Sequence, residues 1–415
     1  MDLKFIRENV DLVRETIRRR NESVDLEKIL ALDEKRRKLI KERDDTQHHQ
    51  RQITDLICEK RKANQDTKQE QSTAKELALK IKKLEDDLEI IEKEINDLLQ
   101  FVPNVIHPSV GDEDRIIGNW GEIPKFDFQP LAHWDLAPTL GIADFKAATK
   151  LAGSRFVLFK GKGALLERAL VNFCLDYHRK YHGYEEISPP LLNLNVCFYN
   201  SGALPKLADE MYQCKDDPFY LIPTAEVPLV NIHRDEILRE EDLPKCYVAY
   251  TPCFRREAGS YGKDVRGMIR VHQFDKVELV KITKPEDSYQ EFEKMRQDVE
   301  RIMQLLKIPY RVKLLAAKEM AFQSAKTYDI EAWAAGVGDW LEVSSISNCE
   351  DFQTRRANIR IRRKNGKLDY AHAMNGSGLA FARIFIALIE NNQQKDGSIV
   401  IPEVLRPYLD FEQIE

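Results

Sequence analysis

A cluster of charged and aromatic residues near the middle of the sequence has the types and spacing that chemistry requires. Arg255 and Glu257 end one β-rich run, and Phe274, Lys276 and Glu278 occupy alternate positions in a second run, after a polar loop that contains glycine. Because side chains alternate along a strand, we expect a hairpin that presents these residues on one surface. A solvent-facing hairpin with cross-strand salt bridges would explain only the charges. A nucleotide site also explains the loop and the ring, since guanidinium groups bind phosphate and aromatic rings stack on bases.

The composition limits which classes of protein this can be. The chain has 415 residues, of which 64 are Lys or Arg, 69 are Asp or Glu and 7 are Cys. That length predicts two or three domains. Apolar runs stay well short of the roughly 20 residues that span a bilayer, and the N-terminal residues do not resemble a signal peptide, so we expect a cytoplasmic protein without a membrane segment. The cysteines are never spaced as CxxC, which argues against a structural zinc site.

Residues 1–102 are predicted to form a helical N-terminal domain. The first proline is Pro103 and the first glycine is Gly111, and an unbroken heptad seam runs through Leu77, Ile81, Leu84, Leu88, Ile91, Ile95 and Leu98. We expect this seam to pair with a helix over 26–62, through a turn at 63–73, in an antiparallel coiled-coil arm of about residues 26–100, with residues 1–20 as a short helix at its base. The arm could be an oligomerisation coiled coil, or a projection that binds nucleic acid at a distance from the rest of the protein, through basic clusters such as 35–38 and 60–62.

The rest of the chain is predicted to be a linker over 103–138 and an α+β domain over 139–415. The linker prediction depends on four prolines in a stretch without clear periodicity. Beyond it, helices are predicted at 165–180 and 285–306. Strand-like runs are predicted at 220–222, 247–256, 269–282, 340–345 and 358–363. Their spacing is not that of βαβ units, which indicates a mostly antiparallel sheet with helices packed on it.

Residues 254–278 resemble motif 2 of class II aminoacyl-tRNA synthetases, in the form seen in the seryl-tRNA synthetase family. The sequence 221–228 (LIPTAEVP) is similar to that family's serine-binding TxE loop. The other matches follow the family's order: residues 187–190 resemble motif 1, 201–206 the loop after it, and 341–356 with 375–383 the stretch through motif 3. The resemblance covers essentially the whole chain, including the arm, and indicates the bacterial type. One departure is Phe381-Ala382 before Arg383, where family members commonly carry a small apolar residue and glycine.

The resemblance implies a class II catalytic domain and ATP-dependent ligation of L-serine to tRNA(Ser), and also to tRNA(Sec), through a seryl-adenylate. It implies a homodimer with the arm holding tRNA, Arg255, Arg383 and Glu342 as catalytic residues, and Mg²⁺ on Glu342 and Ser345 without zinc. The residues implied to bind ATP are Arg255, Arg256, Glu257, Val271, His272, Gln273, Phe274, Glu342, Val343, Ser344, Ser345 and Arg383. Those implied to bind L-serine are Thr224, Ala225, Glu226, Arg255, Glu278 and Ser377.

The chemistry of these residue types is consistent with that activity. Joining a carboxylate to the α-phosphate of ATP brings two anions together, so fixed guanidinium groups and a divalent cation are what the reaction needs. Selecting serine is a hydrogen-bonding problem, because a pocket that must pair the hydroxyl rejects alanine far better than an apolar pocket could. Two alternatives are an amino-acid:carrier-protein ligase, which typically lacks the arm, and an inactive coiled-coil scaffold, against which the intact charged residues argue.

Overall fold

The computed structural model describes residues 1–258 and 266–415, so the glycine-containing part of the predicted motif 2 loop lies outside the described residues. The chain divides into two compact units, Met1–Pro103 and Asn104–Glu415. The helices are α1 (Leu3–Glu8), α2 (Val10–Arg19), α3 (Leu26–Lys62), α4 (Lys68–Leu99), α5 (His133–Thr139), α6 (Phe145–Ala152), α7 (Lys162–Tyr181), α8 (Asn195–Ser201), α9 (Glu226–Val230), α10 (Ser288–Leu305), α11 (Phe352–Arg356) and α12 (Phe381–Asn391).

The strands form one large sheet and three small ones. They are β1 (Arg115–Trp120), β2 (Glu185–Glu186), β3 (Leu192–Leu194), β4 (Phe219–Leu221), β5 (Ile237–Arg239), β6 (Lys245–Phe254), β7 (Gln273–Thr283), β8 (Tyr310–Leu314), β9 (Lys326–Ala334), β10 (Asp339–Asn348), β11 (Arg360–Arg362), β12 (Leu368–Tyr370), β13 (His372–Ala380), β14 (Ile399–Val400) and β15 (Gln413–Ile414).

The N-terminal unit contains two long antiparallel helices. Ion pairs between α3 and α4 show the direction, because partners that rise along α3 fall along α4: Lys28 pairs with Glu94, Arg36 with Glu92, and Glu42 with Lys80. Five of the seven predicted seam residues, Ile81, Leu84, Leu88, Ile91 and Ile95, are buried. The Asp25 side chain caps α3 by accepting from the Lys28 backbone N–H at 2.9 Å, which starts the helix at Leu26 as predicted.

Two details of this unit differ from the prediction. Residues 1–20 form two helices rather than one, because the chain breaks at Asn9. The turn between α3 and α4 is shorter than residues 63–73, because α4 already begins at Lys68. Asp33, which is 1 % exposed, fastens α1 to α3 by accepting from Arg7 at 2.9 Å and from Arg37 at 3.1 Å.

The second unit is built on an eight-stranded sheet in the order β1-β8-β9-β10-β13-β7-β6-β2. Every neighbouring pair is antiparallel except β2 with β6, which confirms the predicted mostly antiparallel sheet. Helices α7, α10 and α12 pack on its central strands. Their contacts bury large apolar side chains such as Phe292 and Phe385, and this core holds β7, β10 and β13 rigidly in place.

The predicted linker 103–138 is not a separate loop segment in this unit. Residues 115–120 form β1, an edge strand that pairs with β8, and residues 133–138 lie in α5. The strand was hidden in the sequence because all but one of its residues are exposed, so it lacks the alternation that marks a half-buried strand. Ile106, Val110 and Leu136 belong to the main core.

Candidate active site

A cleft over the central strands contains most of the residues singled out from the sequence. It has a large compartment of about 460 Å³ and a small compartment of about 190 Å³. Both compartments are bordered by Arg255, Glu257, Arg270, Lys276, Glu342 and Ser377. Thr224, Glu226, Glu278 and Ser345 line the large compartment, whereas Val271, Phe274 and Arg383 line the small one. The cleft therefore joins a carboxylate-rich space to one bordered by guanidinium groups.

Two register shifts in the sheet aim side chains into this cleft. On β10 the pairing with β9 slips between Glu342 and Ser344, so Val343 is an extra residue. Residues three apart on a regular strand face opposite sides, but across this bulge Glu342 and Ser345 both line the large compartment. A second slip, between Ser377 and Leu379 on β13, leaves Gly378 as the extra residue. A Cβ atom built on Gly378 would lie 2.9 Å from Cγ1 of Val277, so the close packing there requires glycine.

Glu226, at the start of α9, is held by three carboxamide groups. Its Oε1 accepts from Nε2 of Gln353 at 2.7 Å, from Nδ2 of Asn375 at 3.0 Å and from Nε2 of Gln323 at 3.3 Å. The Gln353 Nε2 atom also donates to the backbone carbonyl of Ser201 at 2.9 Å. Burial raises the pKa of Glu226 to about 7, with the nearby charge of Glu278 adding to the effect and Lys276 opposing it.

Glu278, on β7, is the second buried carboxylate of the large compartment, at 1 % exposed. Its Oε2 accepts from Oγ1 of Thr224 at 3.0 Å and forms an ion pair with Nζ of Lys276. The Thr224 Oγ1 atom in turn accepts from the backbone N–H of Glu226 at 3.2 Å. Thr224 therefore connects the two glutamates, and the charge of Lys276 acts on both of them.

The predicted shared strand face for Arg255 and Glu257 is wrong in detail. Strand β6 ends at Phe254, and Glu257 has a φ of +50°, so strand alternation does not apply to either residue. They reach the cleft by other means. The backbone N–H of Arg255 donates to the His272 carbonyl at 2.9 Å, and its guanidinium lies 5.1 Å from the ring centre of Phe274. Glu257 accepts from NH1 of Arg270 at 3.2 Å.

The small compartment ends at Arg383, in the first turn of α12. Its NH1 donates to the Glu342 backbone carbonyl at 2.9 Å and lies 3.4 Å from the Glu342 carboxylate. Ser345 lies directly across from Asp329 on the neighbouring strand β9. Within residues 1–258 and 266–415, Asp329 has a buried Oδ1 atom without a hydrogen-bond partner. Burial and the charge of Glu342 raise the pKa of Asp329 to about 8.

These oxygen donors fit a hard divalent cation such as Mg²⁺. Carboxylate and hydroxyl oxygens are the ligands Mg²⁺ prefers, and Glu342 and Ser345 present one of each to the large compartment. Within the described ranges, no group of three or more His, Cys, Asp or Glu side chains is arranged so that it could hold a metal ion. The fit therefore depends on two protein groups and on phosphate oxygens, which is how Mg²⁺ is commonly held.

Six of the predicted site residues have side chains that border neither compartment. Val343 and Ala225 are fully buried in the core, and the Ser344 hydroxyl donates to the Ser377 carbonyl at 2.5 Å. Arg256 is exposed, and the His272 ring lies beside Phe156. Gln273 lines a separate cavity with Glu167 and Asp275. All six are chain neighbours of residues that do line the cleft.

Comparison with known proteins places this arrangement in a family. Residues 1–106 match the model of the seryl-tRNA synthetase N-terminal domain, and residues 211–392 match that of the class II tRNA synthetase core domain for G, H, P, S and T. The serine--tRNA ligase of Syntrophomonas wolfei is 48% identical over 99% of this chain and 97% of its own length. That of Caldicellulosiruptor saccharolyticus is 50% identical, with 99% and 98% covered.

The chain belongs to the seryl-tRNA synthetase family. Solved structures agree: that of the Pyrococcus horikoshii seryl-tRNA synthetase complexed with ATP has a TM-score of 0.95 and 36% identity, covering 100% of this chain and 99% of that one. The Naegleria fowleri cytoplasmic enzyme in complex with AMP has a TM-score of 0.89 and 28% identity, with 98% and 96% covered. The family resemblance and the class II fold predicted from the motifs are thereby confirmed.

The structure adds four residues that line the cleft and were not predicted as site residues, namely Arg270, Lys276, Gln323 and Asn375, and a fifth, Gln353, that donates to Glu226 from the core. The alternation of Phe274, Lys276 and Glu278 was a signal for the lysine. The sequence contained no signal for the three carboxamides, because they lie in separate segments of the chain and amide side chains are common throughout proteins. Across the described residues, no helix has both the length and the apolar character needed to cross a membrane.

Proposed function

We propose that this protein ligates L-serine to tRNA(Ser) with ATP, in two steps. In the first, a serine carboxylate oxygen attacks the α-phosphorus of ATP, which gives seryl-adenylate and releases pyrophosphate. In the second, a ribose hydroxyl of the terminal adenosine of tRNA attacks the carbonyl carbon of the mixed anhydride, and the bond from that carbon to the phosphate oxygen breaks, which gives seryl-tRNA and releases AMP. One observation supports this most: a single cleft joins a buried carboxylate compartment, suited to a small zwitterion, to a compartment bordered by arginines, suited to a polyphosphate.

The large compartment has the groups that recognise serine. Glu278 and Thr224, joined at 3.0 Å, offer acceptors to an ammonium group and to a hydroxyl. Glu226, held by three amides, is the second carboxylate, and Ser377 borders the junction with the small compartment. Alanine has no hydroxyl to hydrogen-bond to these buried polar groups, and a site built to pair that hydroxyl disfavours it by orders of magnitude.

The small compartment has the groups that recognise ATP. Arg255 lies at the junction, where it can contact both the serine carboxylate and the α-phosphate, and Arg383 is placed for the far end of the triphosphate. Phe274 offers a ring for adenine, and Glu257 an acceptor for its amine. Glu342 and Ser345 would hold Mg²⁺, which neutralises phosphate charge when bound. Ala225, Arg256, His272, Gln273, Val343 and Ser344 would contribute through backbone groups.

The N-terminal unit, residues 1–102 in our assignment, is proposed to hold the tRNA. Arg36, Arg37, Lys38 and Lys60 are paired with acidic neighbours, which leaves Lys35, Arg61 and Lys62 as exposed cations along the arm. Such contacts read the shape of a tRNA through its phosphates. We further infer a homodimer that works in the cytoplasm and also accepts tRNA(Sec) where one exists.

Serine-dependent exchange of pyrophosphate into ATP tests the first step. We expect exchange with L-serine, and a rate at least 100-fold lower with L-alanine or L-threonine at equal concentration. Arg255→Gln should lower the exchange rate roughly 100- to 1,000-fold, the usual cost of losing one transition-state donor. Arg296→Gln, an arginine outside the cleft that pairs with Glu293 at 3.0 Å, is the matched control and should retain exchange. Exchange with another amino acid and not with serine would contradict the proposal.

Transfer of labelled serine to tRNA tests the second step and separates a synthetase from a carrier-protein ligase. Replacing Lys35, Arg61 and Lys62 together by Gln should weaken charging of tRNA and make charging less sensitive to added salt, because fewer phosphate contacts remain, while exchange stays unchanged. Removing residues 26–100 should abolish most charging. Full charging without the arm would refute the assignment of the arm to tRNA.

A further inference from the structure

Lys276 is a buried cation that the roles assigned so far do not use. It lies on β7 two residues from Glu278, is 5 % exposed, and borders both compartments of the cleft. Its Nζ atom forms an ion pair with Oε2 of Glu278, and its charge also acts on Glu226. A lysine paired so closely in a buried site is costly to maintain for stability alone.

The position of Lys276 conflicts with the binding of an amino acid. The oxygen of Glu278 that pairs with Lys276 also accepts from Thr224, so these two protein groups already use most of its hydrogen-bonding capacity. A substrate ammonium group that binds Glu278 would be a second cation beside the first. Two like charges within a few ångströms in a buried site repel strongly, so one of them must move.

The small compartment offers Lys276 a destination. Lysine carries its charge on a flexible four-carbon stem, so the ammonium can leave one partner for another without any backbone movement. The strand that carries it runs from Glu278 in the large compartment towards Phe274 in the small one. A polyphosphate there would place new negative charge on the side of Lys276 away from Glu278.

We propose that Lys276 is a catalytic residue that occupies the ammonium site of Glu278 in the empty cleft and turns to the α-phosphate and the attacking carboxylate when both substrates are bound. This inference rests on the proposed function. In the step concerned, a carboxylate oxygen forms a bond to the α-phosphorus, and the bond from that phosphorus to the bridging oxygen breaks, with its electrons leaving on pyrophosphate. Lys276 donates to the oxygens on which negative charge accumulates, and no proton is transferred.

Comparing substrate affinity with the rate of adenylate formation tests this role. We expect Lys276→Met to lower the single-turnover rate of pyrophosphate release roughly 100-fold or more, as for the loss of one transition-state donor. The dissociation constant for serine, measured by equilibrium dialysis without ATP, should stay the same or decrease, because a competing cation is gone. Lys276→Arg should recover part of the rate.

A role in folding alone would give a different result. In that case Lys276→Met would weaken serine binding and leave the rate at saturating substrates unchanged, which would overturn the proposal. Lys281→Met is the matched control, because Lys281 is a buried lysine on the same strand, paired with Glu291 at 2.9 Å outside the cleft. Lys281→Met should lower the melting temperature, but it should not lower the rate of pyrophosphate release while leaving the affinity for serine intact. Melting curves and circular dichroism of Lys276→Met and Lys276→Arg identify a variant that has not folded.

The failure of this inference can be distinguished from the failure of the proposed function. The wild-type protein is first tested with a panel of amino acids. If serine is not its substrate, the proposed function fails, and the same Lys276 comparison is made with the amino acid that supports exchange. The ammonium and the α-phosphate are common to all such substrates. A Lys276→Met variant that exchanges at the wild-type rate would then refute the inference by itself.

Discussion

Replacing Gln353 by Met should weaken the binding of serine without affecting that of ATP. Gln353 is fully buried on α11 and gives its Nε2 both to Glu226, at 2.7 Å, and to the Ser201 carbonyl, at 2.9 Å. Methionine has a similar volume but lacks the donor. A hydrogen bond to a charged group contributes about 1.5–3 kcal/mol. Because 1.4 kcal/mol corresponds to about a factor of ten, we expect the KM for serine to rise roughly 10- to 100-fold.

The pH dependence of this variant has a definite sign. The hydrogen bond from Gln353 lowers the pKa of Glu226, which burial has raised to about 7. Without that bond the pKa rises further, so at pH 7 a smaller fraction of Glu226 carries the charge that attracts an ammonium group. The KM defect for serine should therefore be larger at pH 6.5 than at pH 7.5 and should shrink towards pH 9, where Glu226 is ionised in both proteins.

The assay is serine-dependent exchange of pyrophosphate at several pH values, with the KM for ATP measured in parallel. Gln393→Met is the control. Gln393 lies outside the cleft, and its buried carboxamide donates to two backbone carbonyls, with hydrogen-bond lengths of 2.8 and 3.0 Å. Gln393→Met should change the melting temperature and not the KM for serine. A KM for serine in Gln353→Met that stays close to wild type at every pH would refute the assignment of Glu226 to the serine site.

Three further predictions concern other parts of the molecule. Burial and a neighbouring carboxylate raise the pKa of Glu167 from its ordinary value of 4.5 to about 8. Ionising Glu167 therefore destabilises the fold increasingly as the pH rises from 4.5 to 8. Glu167→Gln should raise the melting temperature by a few degrees at pH 9 and hardly at pH 4.5. Asp33→Ala removes the acceptor of two arginines and should speed amide hydrogen exchange in α1 and the start of α3, but not in the sheet. Gly378→Ala should lower the exchange rate of pyrophosphate about tenfold or more, because its Cβ meets Val277, and Val277→Ala in the same chain should restore part of it.

The sequence predicted the helices of the arm well and the sheet only in part. Helix α3 was predicted at its observed bounds, because a long stretch without glycine or proline follows Asp25, a residue that caps helices. Strands β9 and β13 were not predicted. Nearly all of their residues are buried, including Asp329 and Asn375, so neither apolar alternation nor an apolar run marks them as strands.

The residue types of the cleft were predictable, but not how they reach it. Motif matches named Arg255 and Glu257, yet the structure brings them in from beyond the end of β6, one of them with a positive φ. Likewise Glu342 and Ser345 face the cleft together only because β10 contains an extra residue. Register shifts and backbone strain depend on packing across the sheet, so the order of residues in the chain does not reveal them.

The two register shifts on β10 and β13 also constrain how this chain can change in length. Side chains alternate between the two faces of a strand. Inserting or deleting one residue between a shift and the cleft would therefore turn every later side chain to the opposite face. Substitutions can be absorbed there one at a time, whereas a change of length cannot. Over evolution, gains and losses of residues should therefore gather in the turn between α3 and α4 and in the surface loops, and the spacing from Glu342 to Ser345 and from Asn375 to Ala380 should stay constant among active relatives.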